Sequence, residues 1–134
     1  MSGNGGRLNA GVDGTGRLTT HVLDLSCGRP AANMAVHLWR FGGDGQRELL
    51  RSAVTNADGR LDEPLLQGTA FAEGTYELCF KVGDYFRRNS AEAERVTMLF
   101  LEEVPIRFQV TEAGAHYHVP LLVAPGGYST YRGS

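Results

Sequence analysis

The chain has 134 residues, 42% hydrophobic and 21% charged, with a formal net charge of -2. That is the length and composition of one soluble globular domain, long enough to bury a core without metal or disulfide staples. The near-balanced charge excludes an electrostatic footprint for nucleic acid or anionic lipid, and the longest apolar stretch, Val119–Pro125, falls far short of the ~20 residues of a membrane span.

The opening MSGNGGRLNAGVDGTG is rich in Gly and Asn and lacks the apolar run of a signal peptide. It predicts a flexible lead-in over residues 1–16 and a folded domain over 17–134. The two cysteines, Cys27 and Cys79, have a spacing that requires no pairing. With no signal-type run, the cytoplasm is the expected compartment.

From Arg17 onward, short apolar runs are broken by turn residues. Leu18–Leu25 is rich in Thr, Val and Leu and ends at Cys27-Gly28-Arg29-Pro30. Ala35–Phe41 follows and stops at Gly42-Gly43-Asp44-Gly45; Leu49–Thr55 is closed by Asn56-Ala57-Asp58-Gly59. In Thr75–Val82, Tyr76, Leu78, Phe80 and Val82 take one face and Glu77, Cys79 and Lys81 the other, which predicts a half-buried strand. Asn89-Ser90-Ala91-Glu92 has the form of a helix start with a capping partner, and predicts a short helix between Gly83 and Arg95. Ile106, Phe108 and Val110 then alternate with Arg107 and Gln109, His116–Val123 reads as another strand, and the tail from Tyr128 as a last short one. Some seven or eight strands with one short helix predict an all-β sandwich.

The four histidines are the first candidates for chemistry. Strand alternation puts His116, His118, Pro120 and Leu122 on one face and the apolar Tyr117, Val119, Leu121 and Val123 on the core face. The outward pair has three readings: solvated surface, metal ligands, or a catalytic base. A metal would need a third and fourth ligand that the local sequence does not supply. His37 shares its parity with Trp39 and Phe41, a packing pattern. His21 alone reads as a hydrogen-bonded strand residue; Asp24 and Ser26 lie near it, but there is no GxSxG elbow for a serine nucleophile. Arg60 alone reads as a surface charge after a turn, and Tyr131-Arg132-Gly133-Ser134 as a chain end.

Their order carries more than any one of them. Leu18-Thr-Thr-His21-Val-Leu-Asp24, Thr55-Asn-Ala-Asp-Gly-Arg60, His116-Tyr-His118-Val-Pro-Leu-Leu122 and Tyr128-Ser-Thr-Tyr-Arg-Gly-Ser134 together resemble the 5-hydroxyisourate hydrolases, transthyretin-related enzymes of purine breakdown. The resemblance runs from Arg17 to Ser134, and its most specific part is the closing Tyr-Arg-Gly-Ser, which separates the hydrolases from hormone-carrying transthyretins. It implies a transthyretin-like β-sandwich, a homotetramer with active sites in clefts between dimers, and no cofactor or metal. It implies hydrolysis of 5-hydroxyisourate to 2-oxo-4-hydroxy-4-carboxy-5-ureidoimidazoline. His21, Arg60, His118 and Ser134 match the catalytic positions, and His21, Arg60, Tyr131 and Ser134 those that line the substrate site. His116 matches a position without a usual catalytic role.

In that chemistry His118, acting with His21, orients and activates a water. Arg60 fixes substrate oxygens and holds negative charge, and the Ser134 and Tyr131 hydroxyls bond the ring. Ser134 would also bring the chain-terminal carboxylate to the site. The rivals are a transthyretin-like carrier of a small ligand, a metal-binding sandwich using His21, His116 and His118, and a plain scaffold module.

Overall fold

The computed structural model describes residues 15–91 and 99–133. Residues 1–14 of the expected lead-in, residues 92–98 and Ser134 lie outside the described residues. Two sheets face each other. The first has the order β2 (Arg29–Pro30), β1 (Arg17–Asp24), β8 (His116–Ala124) and β9 (Gly127–Thr130), with β5 (Leu66–Gln67) also paired to β1. The second runs β4 (Arg47–Val54), β3 (Ala35–Phe41), β6 (Gly74–Phe80) and β7 (Val104–Val110). The seven longer strands are those expected; β2 and β5, two residues each, are too short to leave a periodic signal.

Period-two alternation builds the core. Leu18 and Val22 of β1 and Tyr117, Val119, Leu121 and Val123 of β8 point inward against Val36 and Leu38 of β3 and Tyr76, Leu78 and Phe80 of β6. The opposite residues of β1 and β8 are therefore free of core duty. β1 and β8 are parallel, with Arg17 opposite His116, Thr19 opposite His118 and His21 opposite Pro120. A parallel pair needs a long crossover, and here residues 25–115 lie between the two strands.

Two local expectations need correction. The helix α1 spans Val82–Arg88, inside the expected stretch but for its first residue, so Val82 belongs to the helix rather than to the strand and Asn89 caps its C-terminal end; residues 92–95 of that stretch lie outside the described residues. Val82, Tyr85 and Phe86 give it a buried face at helical spacing. Asn89 and Ser90 do cap, but as donors: Asn89 Nδ2 bonds the Tyr85 carbonyl at 2.8 Å and Ser90 Oγ the Phe86 carbonyl at 2.7 Å. The Tyr85 hydroxyl donates to the buried Asp24 carboxylate at 2.7 Å, tying α1 to the end of β1.

The second correction concerns β6, which is buried on both faces. Glu77 is 8% exposed and Cys79 7%. β6 is an inner strand, and its outer face is covered by long side chains from its neighbours. Arg107 Nε donates to Glu77 at 3.2 Å, and Lys81 Nζ pairs with Glu103 at 2.6 Å beside Cys79. Both cysteines are free thiols, Cys27 exposed and Cys79 buried. No helix among the described residues is long and apolar enough to cross a membrane.

Candidate active site

The outer face of the β1–β8 pair gathers residues from four distant segments. The edge of β1 away from β8 is covered in three short stretches: β5 at Arg17 and Leu18, Arg60 at His21, and β2 at Leu23 and Asp24. Arg60 is delivered there by a turn with specific requirements. Asn56 Oδ1 accepts from the backbone N–H of Asp58 at 2.9 Å and of Arg60 at 3.1 Å, and the Gly59 N–H closes the turn on the Asn56 carbonyl at 2.9 Å. Gly59 has φ +75°, and its carbonyl accepts from Val22 N–H at 2.8 Å. A Cβ at Gly59 would stand 2.4 Å from the Val22 carbonyl oxygen, so only glycine brings the turn this close to β1.

On the other side of β8 the C-terminal tail returns. Gly133 N–H donates to the His118 carbonyl at 2.7 Å, Arg132 Nη2 reaches the His116 carbonyl at 3.3 Å, and the Arg132 guanidinium lies 3.9 Å from the centre of the Tyr117 ring. The register of β8 with β9 continues into this tail, since Leu121 faces Thr130 and His118 faces Gly133.

Arg17, Thr19, Arg60, His116 and His118 line an open cleft of about 450 Å³. Its rim carboxylates are engaged elsewhere: Asp62 accepts from Asn56 at 3.0 Å and Glu63 from Arg51 at 3.5 Å. Arg60 makes no ion pair among the described residues. The Thr19 hydroxyl lies 2.8 Å from both His116 Nε2 and His118 Nδ1. Burial holds His118 below its ordinary pKa, reinforced by Arg60, His116 and His21. Burial and Arg60 lower His21 in the same way, against a backbone hydrogen bond to Asp58, and burial with Arg17 and Arg132 lowers His116. The three imidazoles are thus biased toward the neutral form that can accept a proton.

The structure brings His118 and Arg60 to one cleft and puts His21 on the same face, bridged to Arg60, although His21 does not line the cleft itself. Tyr131 does not line the cleft; it is 61% exposed and borders a second hollow of about 300 Å³ with Phe108 and Val119. Ser134 lies outside the described residues. Sequence reasoning missed Thr19 and Arg17 as site residues. Both were within reach, because residues two and four positions before His21 in a strand share its face. Among the described residues no group of three or more His, Cys, Asp or Glu side chains is disposed around a metal position.

Comparison with known proteins follows the same lines. The family model for the HIUase/transthyretin family matches residues 18–133. The 5-hydroxyisourate hydrolase of Halalkalibacterium halodurans is 58% identical over 120 residues, covering 90% of this chain and 99% of that one. The solved 5-hydroxyisourate hydrolase of Klebsiella pneumoniae is 39% identical with a TM-score of 0.72, covering 89% of this chain and 99% of its own. The structure of (S)-allantoin synthase superposes with a TM-score of 0.80 at 44% identity; 92% of this chain corresponds to 45% of that longer one.

Proposed function

Because this chain belongs to the HIUase/transthyretin family, we propose that it hydrolyses 5-hydroxyisourate to 2-oxo-4-hydroxy-4-carboxy-5-ureidoimidazoline, with His118 as the proton-transferring group. The observation that carries the reading is the convergence of His21, Arg60 and His118 on one sheet face. An aliphatic ligand would want apolar walls there, and two imidazoles with two guanidiniums are a poor lining for a carrier.

Opening the ring requires water to add to a cyclic amide carbonyl. The water O–H bond breaks as its oxygen bonds the carbonyl carbon, and the proton passes to neutral His118. The carbonyl oxygen gains negative charge, which the Arg60 guanidinium stabilises. The carbon–nitrogen bond then breaks, and His118 returns its proton to the leaving nitrogen. His21, tied through its backbone to Arg60 and through its ring to the Asp58 backbone, orients the water and substrate. Tyr131 and Ser134 supply hydroxyl hydrogen bonds to the ring, Ser134 following the Gly133 that is bonded to His118.

In this reading the enzyme domain is 17–134, working in the cytoplasm, where free thiols such as Cys27 and Cys79 persist. It works as a homotetramer. Among the described residues the two sheets end at β7 and β9, and β9 is exposed throughout, so a second copy can extend them. Light scattering on the purified protein checks this, with a mass four times that of the chain expected.

The decisive assay generates 5-hydroxyisourate from urate with a urate oxidase and follows its decay with and without the protein. Acceleration over spontaneous decay is expected. Its absence would remove the enzymatic reading.

A further inference from the structure

The hydroxyl of Thr19 touches two imidazoles at once, His118 through Nδ1 and His116 through Nε2, each at 2.8 Å. A hydroxyl has one proton. It can donate to at most one of those nitrogens, so at least one ring must present an N–H to its oxygen. The protonation patterns of the two rings are therefore tied together. Because Nδ1 of His118 is taken by Thr19, only Nε2 remains for chemistry, and no protein group among the described residues bonds it.

Gly133 restrains the ring from another side. A Cβ there would lie 2.7 Å from His118 Cδ2, so the tail backbone rests directly against the imidazole. The His116 and His118 rings are 6.0 Å apart centre to centre and tilted by 55°, and the Thr19 hydroxyl bridges one nitrogen of each.

We infer that Thr19 and His116 are positioning residues that hold His118 as the Nδ1–H tautomer, leaving Nε2 bare to take the proton of the attacking water. The chain runs from His118 Nδ1–H, donating to Thr19 Oγ1, to Thr19 O–H, donating to bare Nε2 of His116. Its direction follows from the electrostatics of the cleft. A wall that faces the unpaired Arg60 charge favours a nitrogen lone pair over an N–H dipole. The same polarity holds after proton uptake, because the His118 imidazolium still donates from Nδ1 to Thr19. No hydrogen bond must be rearranged during the reaction. The inference rests on the reading of His118 as the base, and it gives His116 a part that touches no substrate.

The test uses the full chain, unaltered and with Thr19→Val, Thr19→Ser and His116→Phe. Nitrogen-15 NMR of the ring nitrogens reads the tautomer directly, and steady-state kinetics on 5-hydroxyisourate read its consequence. In the unaltered protein His118 Nε2 should resonate as a bare nitrogen and Nδ1 as a protonated one. Thr19→Val should mix the two tautomers and lower kcat about 10–100-fold, with KM within about 2-fold. His116→Phe should lower kcat in the same direction by less, and Thr19→Ser, which keeps the hydroxyl, should return within about 3-fold of the original. A proton on His118 Nε2 in the unaltered protein would overturn the inference, as would Thr19→Val turning over at the original rate. If the unaltered protein lacked hydrolase activity, the functional reading would fall; the nitrogen signals would still decide for or against the tautomer.

Discussion

The outer faces of the two sheets carry similar side chains and do opposite things with them. On the β1–β8 face stand His21, His116, His118, Arg17 and Arg60. On the β3–β4–β6–β7 face stand His37, Trp39, Phe41, Arg47, Glu77 and Arg107. There the Arg47 guanidinium lies 3.9 Å from the centre of the Trp39 ring and that of Arg107 4.0 Å from the Phe41 ring. Glu77 lies between the two arginines, 3.8 Å from Arg47 and 3.2 Å from Arg107. Each of these three charges has a partner, and the Trp39 and Phe41 rings each carry a guanidinium. On the first face Arg60 has no ion pair with a carboxylate among the described residues, and one hydroxyl, that of Thr19, is shared between two of the imidazoles. A histidine and arginines on a strand face do not make a site; unspent hydrogen-bonding capacity beside a cleft does.

Substitutions separate the two faces most sharply where they remove the reacting groups. His118→Ala or Arg60→Ala should lower kcat/KM by about 10²–10⁴-fold while the circular dichroism spectrum and melting temperature stay near those of the original. Near-full activity in the His118 variant would end the assignment. Gly133→Ala should be milder. Its added carbon must displace the His118 ring, so kcat should fall on the order of 10–100-fold, read by the same assay.

The pH profile should show a further contrast. His118 and His21 are both held below the ordinary histidine value, chiefly by burial and then by Arg60. A base with a lowered pKa stays neutral to lower pH. The acid limb of kcat/KM for the free enzyme should therefore have its midpoint below ~6.5, the ordinary histidine pKa. A midpoint above that value would contradict the electrostatics of the cleft. The smallest effect is expected on the other face. Glu77→Gln should leave turnover unchanged and cost about 1 kcal/mol of stability by weakening two ion pairs, visible as a few degrees in Tm.

Much of the site was legible as motif, and its individual parts were not. Alternation alone put Tyr117, Val119, Leu121 and Val123 in the core and turned His116 and His118 outward. The Asn56–Gly59 turn announced itself by its residues, and the structure gives Asn56, Asp58 and Gly59 a hydrogen bond each in setting Arg60 against His21. The short helix falls at the beginning of the Gly83–Arg95 stretch, where Asn89 and Ser90, which have the form of a helix start, act as donors at the end of Val82–Arg88. The cover over Glu77 and Cys79 was not legible, since it comes from side chains on neighbouring strands.

Local periodicity by itself determined which stretches are strands and which of their residues look outward, because side-chain direction in an extended chain depends only on parity. What parity cannot contain is partnership. Thr19 lies 97 residues from His116 and 99 from His118, and only the parallel register of β1 on β8 puts its hydroxyl between their rings. The tail's return onto His118 and the placing of Arg60 beside His21 are likewise decisions of the folded sheet, since a hydrogen bond reports nearness in space and a sequence records only nearness along the chain.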